Sequence, residues 1–161
     1  MIKIISVLKL IVISISVRSI KSRSLNQSIL FNEFGYSFNS IEIDLSRKSI
    51  NSIDSKTFQG LHNLEVLYLE DNKLTKLEND LFKNLINLKE IWLEHNGLVS
   101  IDKNIFVGLN NLERVCLYDN PISTIFPTEV QLLCETNPKC LLSISEKCIK
   151  IGLTTLSNEI L

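Results

Sequence analysis

Residues 64–72 read LEVLYLEDN, from Leu64 to Asn72, and the same pattern of leucine-like residues ending on asparagine returns at 88–96 (LKEIWLEHN) and 112–120 (LERVCLYDN). Each step is 24 residues. The register extends on both sides: Leu74, Leu98 and Ile122 form one further column, Leu77, Ile101 and Ile125 a second, Phe58, Phe82 and Phe106 a third, Leu61, Leu85 and Leu109 a fourth. This spacing divides the chain into four coils, 40–63, 64–87, 88–111 and 112–135. A unit that short cannot hide its own apolar face, so the coils must be stable through stacking.

Within each coil the alternation around the central leucines is that of a short strand. Leu67, Ile91 and Val115 point to one face, and Tyr68, Trp92 and Cys116 to the other. Asn72, Asn96 and Asn120 stand where the chain leaves the strand, and a side-chain amide there both donates to and accepts from backbone groups that the turn strands. On the return side the word Phe-x-(Gly/Asn)-Leu recurs through Gly60, Asn84 and Gly108. Gly and Asn tolerate the left-handed turn that closes a short helix. Lys48 in the asparagine column and Ser40 in the first leucine column mark the first coil as terminal, while Pro121 and Pro127 alter the fourth.

These columns resemble the leucine-rich repeat family in its 24-residue extracellular type, over residues 40–135. The resemblance implies an α/β right-handed solenoid, with a short parallel sheet on the concave side and helical or 3₁₀ turns on the convex side. It also implies noncovalent binding of another protein; no enzyme activity and no cofactor are expected, because carboxylates on an open, wet sheet stay ionised and no phosphate loop stands among the five glycines.

The flanks carry separate signals. Residues 1–19 hold Lys3, Lys9 and Arg18, no acidic residue, and an apolar run from Leu10 to Val17 that ends among small residues, as a secretory signal peptide does. The run is too short for a stable membrane span, which needs about 20 apolar residues; an uncleaved anchor that tethers the chain to a membrane, or a buried N-terminal strand, is the alternative. Residues 20–39 form an N-terminal capping segment without repeat register, in which Phe31, Phe34, Tyr36 and Phe38 are expected as the apolar lid. It contains the sequon Asn26-Gln27-Ser28, making Asn26 the glycosylation candidate. All four cysteines, Cys116, Cys134, Cys140 and Cys148, lie at or beyond the last coil. Their clustering predicts a disulfide-closed C-terminal cap over 136–161 and an oxidising, extracellular location. Three pairings are open. Asn137-Pro138 offers a turn between Cys134 and Cys140, and Cys140 lies one repeat length past Cys116. No CxxC pair supports zinc instead.

Function is expected where the scaffold leaves residues unconstrained, on the outward positions of the concave sheet. Glu42, Val66, Glu90 and Arg114 form the first such column; Asp44, Tyr68, Trp92 and Cys116 the second; Ser46, Glu70, Glu94 and Tyr118 the third; Arg47, Asp71, His95 and Asp119 the fourth. Seven of these sixteen are acidic and two basic, although the whole chain has a net charge of only −1. Cleavage of the leader would leave 14 basic against 18 acidic residues. A face so charged disfavours nucleic acid, which needs a basic track, and favours a basic protein or peptide. Tyr68, Trp92 and Tyr118, with Glu70, Glu90, Glu94, Asp71 and Arg114, are the expected partner-binding residues, because aromatics set among charges anchor interfaces. Cys116 is expected as a bridge to the cap, with an exposed thiol as the alternative. Glu94 and Asp71 flank His95.

The competing classes are a structural or receptor-fragment module with no specific concave ligand and, more remotely, a hydrolase using carboxylate pairs such as Glu70 with Glu94 or Glu42 with Asp44. No metal-ligand spacing is present. A four-coil footprint is modest, and the sequence neither requires nor excludes dimerisation.

Overall fold

The computed structural model describes residues 23–102, 104–122 and 141–143. The expected leader and the cysteines Cys134, Cys140 and Cys148 lie outside the described residues. The elements, in chain order, are β1 (Arg23–Leu25), α1 (Gln27–Asn32), β2 (Glu42–Asp44), β3 (Ile50–Ile53), β4 (Val66–Tyr68), β5 (Glu90–Trp92), β6 (Arg114–Cys116) and β7 (Leu141–Ser143). Five of them form one parallel sheet in the order β2-β4-β5-β6-β7. The repeat sets its register, pairing Ile43 with Leu67, Leu67 with Ile91 and Ile91 with Val115. The chain is therefore a parallel-strand solenoid of about four turns.

The inward columns behave as the alternation requires: Leu67, Ile91, Val115, Leu69, Leu93 and Leu117 are fully buried. Behind them the phenylalanine column stacks, Phe58 on Phe82 at 6.4 Å and Phe82 on Phe106 at 5.9 Å. The convex side is made of successive turns closed by bonds from residue i to i−3, among them Leu61 N to Phe58 O, Leu85 N to Phe82 O and Leu109 N to Phe106 O. Gly60, Asn84 and Gly108 all sit at positive φ, 84°, 75° and 87°. That is the conformation expected for this column.

The asparagines tie coil to coil. The Asn96 amide donates to Leu69 O (3.0 Å), Leu93 O (3.1 Å) and Glu94 O (3.2 Å), and its oxygen accepts from Leu74 N (3.1 Å). Asn72 and Asn120 repeat the arrangement one coil to either side. Each amide satisfies carbonyls of two coils at once, which removes the cost of leaving them buried without partners.

At the N-terminal end three of the four expected lid aromatics pack against the core, and the fourth, Phe38, stands edge-on to Phe31 at 4.8 Å. The fully buried residues of this end are Leu25 and Leu30; Phe31, Phe34 and Tyr36 are partly buried against the core, and Phe38 is 53% exposed. Backbone pairing closes this end together with that aromatic area. β1 runs parallel to β3 in a second, two-stranded sheet, Leu25 O accepts from Asp54 N and from the Thr57 hydroxyl, and Gln27 Nε2 donates to Gln59 O at 2.7 Å. Asn26 caps α1, its Oδ1 accepting from Ile29 N at 3.0 Å. At the other end β7 pairs with β6 in the register Val115 to Leu142, a spacing outside the 24-residue repeat.

Candidate functional site

The concave face is built by parallel pairing that places Asp44, Tyr68, Trp92 and Cys116 side by side on successive strands. The outward direction of this column is as expected, but its exposure is not. Trp92 is 1% exposed, Glu94 5% and Cys116 fully buried. The expectation that Trp92 presents an exposed aromatic is corrected, because its neighbours enclose it. The Tyr68 ring lies 6.0 Å away on one side, the Arg114 guanidinium 5.7 Å from the ring centre on the other, and its Nε1 donates to Glu90 Oε2 at 3.0 Å. The other Glu90 oxygen accepts from Arg114 at 3.0 Å, so the carboxylate joins indole and guanidinium into one clasp. Trp92 is also outside the contiguous apolar core of the coils. It is a covered residue of the concave side.

Exposure is greatest at the N-terminal strand. Glu42 and Asp44 are exposed, Tyr68, Glu70, Asp71, Glu90, Arg114 and Tyr118 are half-buried, and Glu94 is buried. Burial pushes the Tyr68 phenol above its ordinary pKa, and the carboxylates of Glu42, Glu90, Glu70 and Asp44 push it further. Loss of solvation is the larger cause, and the four carboxylates add to it because like charge opposes formation of the phenolate.

The fourth column is not extended strand. Arg47, Asp71, His95 and Asp119 all adopt the left-handed conformation, φ between 53° and 57°, where the chain bends out of the sheet. They pair along the column: Arg47 Nε meets Asp71 Oδ2 at 3.0 Å, and His95 Nδ1 meets Asp119 Oδ2 at 2.7 Å. The carboxylate at hydrogen-bond distance from His95 is therefore Asp119 of the next coil, not Glu94 or Asp71. The 24-residue spacing contained that signal. The Tyr118 ring stands edge-on to His95 at 5.7 Å.

Cys116 is disulfide-bonded, and no free thiol stands among the described residues. Among those residues no group of three or more His, Cys, Asp or Glu is arranged to hold a metal, and no helix is long and apolar enough to cross a membrane. Asn26, the glycosylation candidate, is exposed and caps α1 through its oxygen.

A parallel sheet of three-residue strands, an asparagine ladder and left-handed turns at a fixed column define a leucine-rich-repeat solenoid. Residues 42–98 match the leucine rich repeat family model and are leucine-rich repeats. Among solved structures, the chain is similar to TLR13 in its complex with ssRNA13, with 32% identity and a TM-score of 0.57 over 63% of this chain and 14% of that one. It is also similar to a chain of the Drosophila Toll–Spatzle complex, with 26% identity and a TM-score of 0.61 over 76% and 17%. A leucine-rich repeat protein of Leptospira interrogans shares 34% identity at a TM-score of 0.55 over 64% and 25%. The chain thus spans a quarter or less of the length of these neighbours. No curated protein matches the sequence significantly.

Proposed function

We propose that this chain is a noncovalent recognition module whose concave face takes a basic protein or peptide. The observation that supports this most directly is the gathering of Glu42, Asp44, Glu70 and Glu90 around Tyr68, whose phenol is pushed above its ordinary pKa first by burial and then by these carboxylates. A cationic partner brought against them gains attraction at long range and a faster encounter. The contact zone centres on Glu42, Asp44, Tyr68, Glu70 and Asp71, with Tyr118 and Arg114 at the far side. Trp92 and Glu94 lie beneath this surface, and the half-buried Glu90 joins it to them through its bonds to Trp92 and Arg114. Proteins of this fold bind different ligands, as the complexes with Spatzle and with ssRNA13 illustrate; for this chain the acidic surface favours protein over RNA.

The disulfide at Cys116 supports an oxidising compartment. Secretion through the 1–19 leader, a cysteine-closed cap beyond residue 135, and glycosylation at Asn26 belong to the same reading. A second reading, a structural module with no specific concave ligand, is favoured by the burial of Trp92 and Glu94.

One experiment separates the two. The wild-type chain and a Glu42→Lys, Glu70→Lys variant are used to capture partners from the extracellular fluid of the source organism, with single-stranded RNA in a parallel arm. Recognition predicts a basic protein retained by the wild type and lost by the variant. Equal recovery of every protein defeats the concave-site reading, and RNA retention defeats the choice of partner.

A further inference from the structure

The five-stranded sheet begins at β2, and an edge strand presents a row of backbone groups on which another strand can pair. In a parallel ladder, alternate residues bond to the neighbour on one side. Ile41 O, Leu45 N and Arg47 N are bonded toward β4 and the chain that follows it. The backbone groups of Glu42, Asp44 and Ser46 therefore face the edge on which, among the described residues, no further strand pairs.

At that edge the Tyr36 hydroxyl accepts from Asp44 N at 2.8 Å and donates to Asp44 O at 3.0 Å. One side-chain oxygen thus makes both bonds that a neighbouring strand's peptide group would make. Ser46 N is closed as well, donating to Asp44 Oδ1 at 2.9 Å. Tyr36 is placed by its own segment: Gly35 turns the chain at φ 76°, Tyr36 N donates to Leu30 O at 3.3 Å, and the ring packs partly buried against the core. The bond is not needed to bury the ring. It answers the middle of the edge.

We propose that Tyr36 is an edge plug that keeps β2 from pairing with the β2 edge of a second copy of this chain. The same edge on two copies is self-complementary under two-fold symmetry, and antiparallel pairing about Asp44 would join two sheets into one. Glu42 and Asp44 add a second barrier, since such pairing sets acids of the two copies against each other.

The test is sedimentation velocity on the full chain and on Tyr36→Phe, over a range of protein concentrations, at low salt and at about 1 M salt, where charge repulsion is screened. The wild type is expected to stay monomeric. Tyr36→Phe is expected to shift toward dimer as concentration rises, more at high salt than at low, and Glu42→Pro added to it, which removes an edge N–H, is expected to restore the monomer. A folded Tyr36→Phe that is monomeric throughout overturns the proposal, and so does association that survives Glu42→Pro or a wild type that already dimerises through β2. Should Tyr36→Phe fail to fold, hydrogen exchange on the native chain decides. The Asp44 amide is expected to exchange at least about tenfold more slowly than that of Glu42, and equal rates overturn the plug.

Discussion

The Asn96 side chain makes four bonds to backbone groups of two coils, and each is buried. Asn96→Ala leaves at least one donor and one acceptor without water or partner, an expected loss of about 2–3 kcal/mol read from the midpoint of chemical denaturation; a change near zero would mean water replaces the amide. Tyr68 makes a different demand at the same scale. Its raised pKa means that the folded chain keeps this proton to higher pH than the unfolded chain does, whose tyrosines ionise near about 10. Between those values the folded state binds more protons, so stability falls as pH rises through the window and is unaffected below it. An absorbance titration comparing wild type with Tyr68→Phe should find one phenol ionising late, and denaturation at alkaline pH should find the variant losing less stability. A Tyr68 that ionises at or below the ordinary value would remove the acidic field on which recognition rests. The direction of Trp92 was legible in the alternation, but its burial was not. Alternation assigns a face, and only the Tyr68, Glu90 and Arg114 side chains around the indole decide what water reaches.

Among the elements, the convex turn carries the most explicit sequence code. Phe82 is fully buried between Phe58 and Phe106, so Phe82→Ala is expected to cost about 3–5 kcal/mol, and a cost near that of a surface substitution would show that the stack is not part of the core. Gly108 has φ 87° and open space where a Cβ would stand. Strain alone therefore sets the cost of substitution there, about 1–2 kcal/mol for Gly108→Ala. Gly108→Asn should lose clearly less, because Asn84 occupies the same column at φ 75°; thermal denaturation that ranks Ala above Asn would contradict this account. Leucine, asparagine and glycine columns were readable because each answers a local requirement repeated at one spacing. The pairing of β1 with β3 was not, since it joins backbone to backbone across Arg23 and Ile50 and imposes no residue type. The left-handed run through Arg47, Asp71, His95 and Asp119 lay between these cases: Asp and His tolerate that conformation, but nothing in Arg47 announces it.

At the scale of the molecule, a solenoid transmits stability only between neighbouring coils, so its ends decide how it opens. Leu30 is fully buried in α1, and Leu25 in β1, over the first coil. Leu30→Ala removes packing at this end alone, with an expected cost of about 2–5 kcal/mol locally. If coupling is between nearest neighbours, the loss is uneven: amide exchange should quicken first across β2 and β3, from Glu42 to Ile53, less at Leu67, and least at Val115, three coils away. Reduction of the disulfide at Cys116 is expected to quicken exchange in β6 as well and so to flatten that gradient. A uniform rise in exchange from Ile43 to Val115 after Leu30→Ala would instead mean that the four turns open as one unit. In that case the acidic surface at Glu42 and Asp44 is as rigid as the coils behind it. With fraying, a partner that bridges β2 and β4 gains by ordering the first coil, so ligand should restore slow exchange at Ile43 before it changes exchange at Val115.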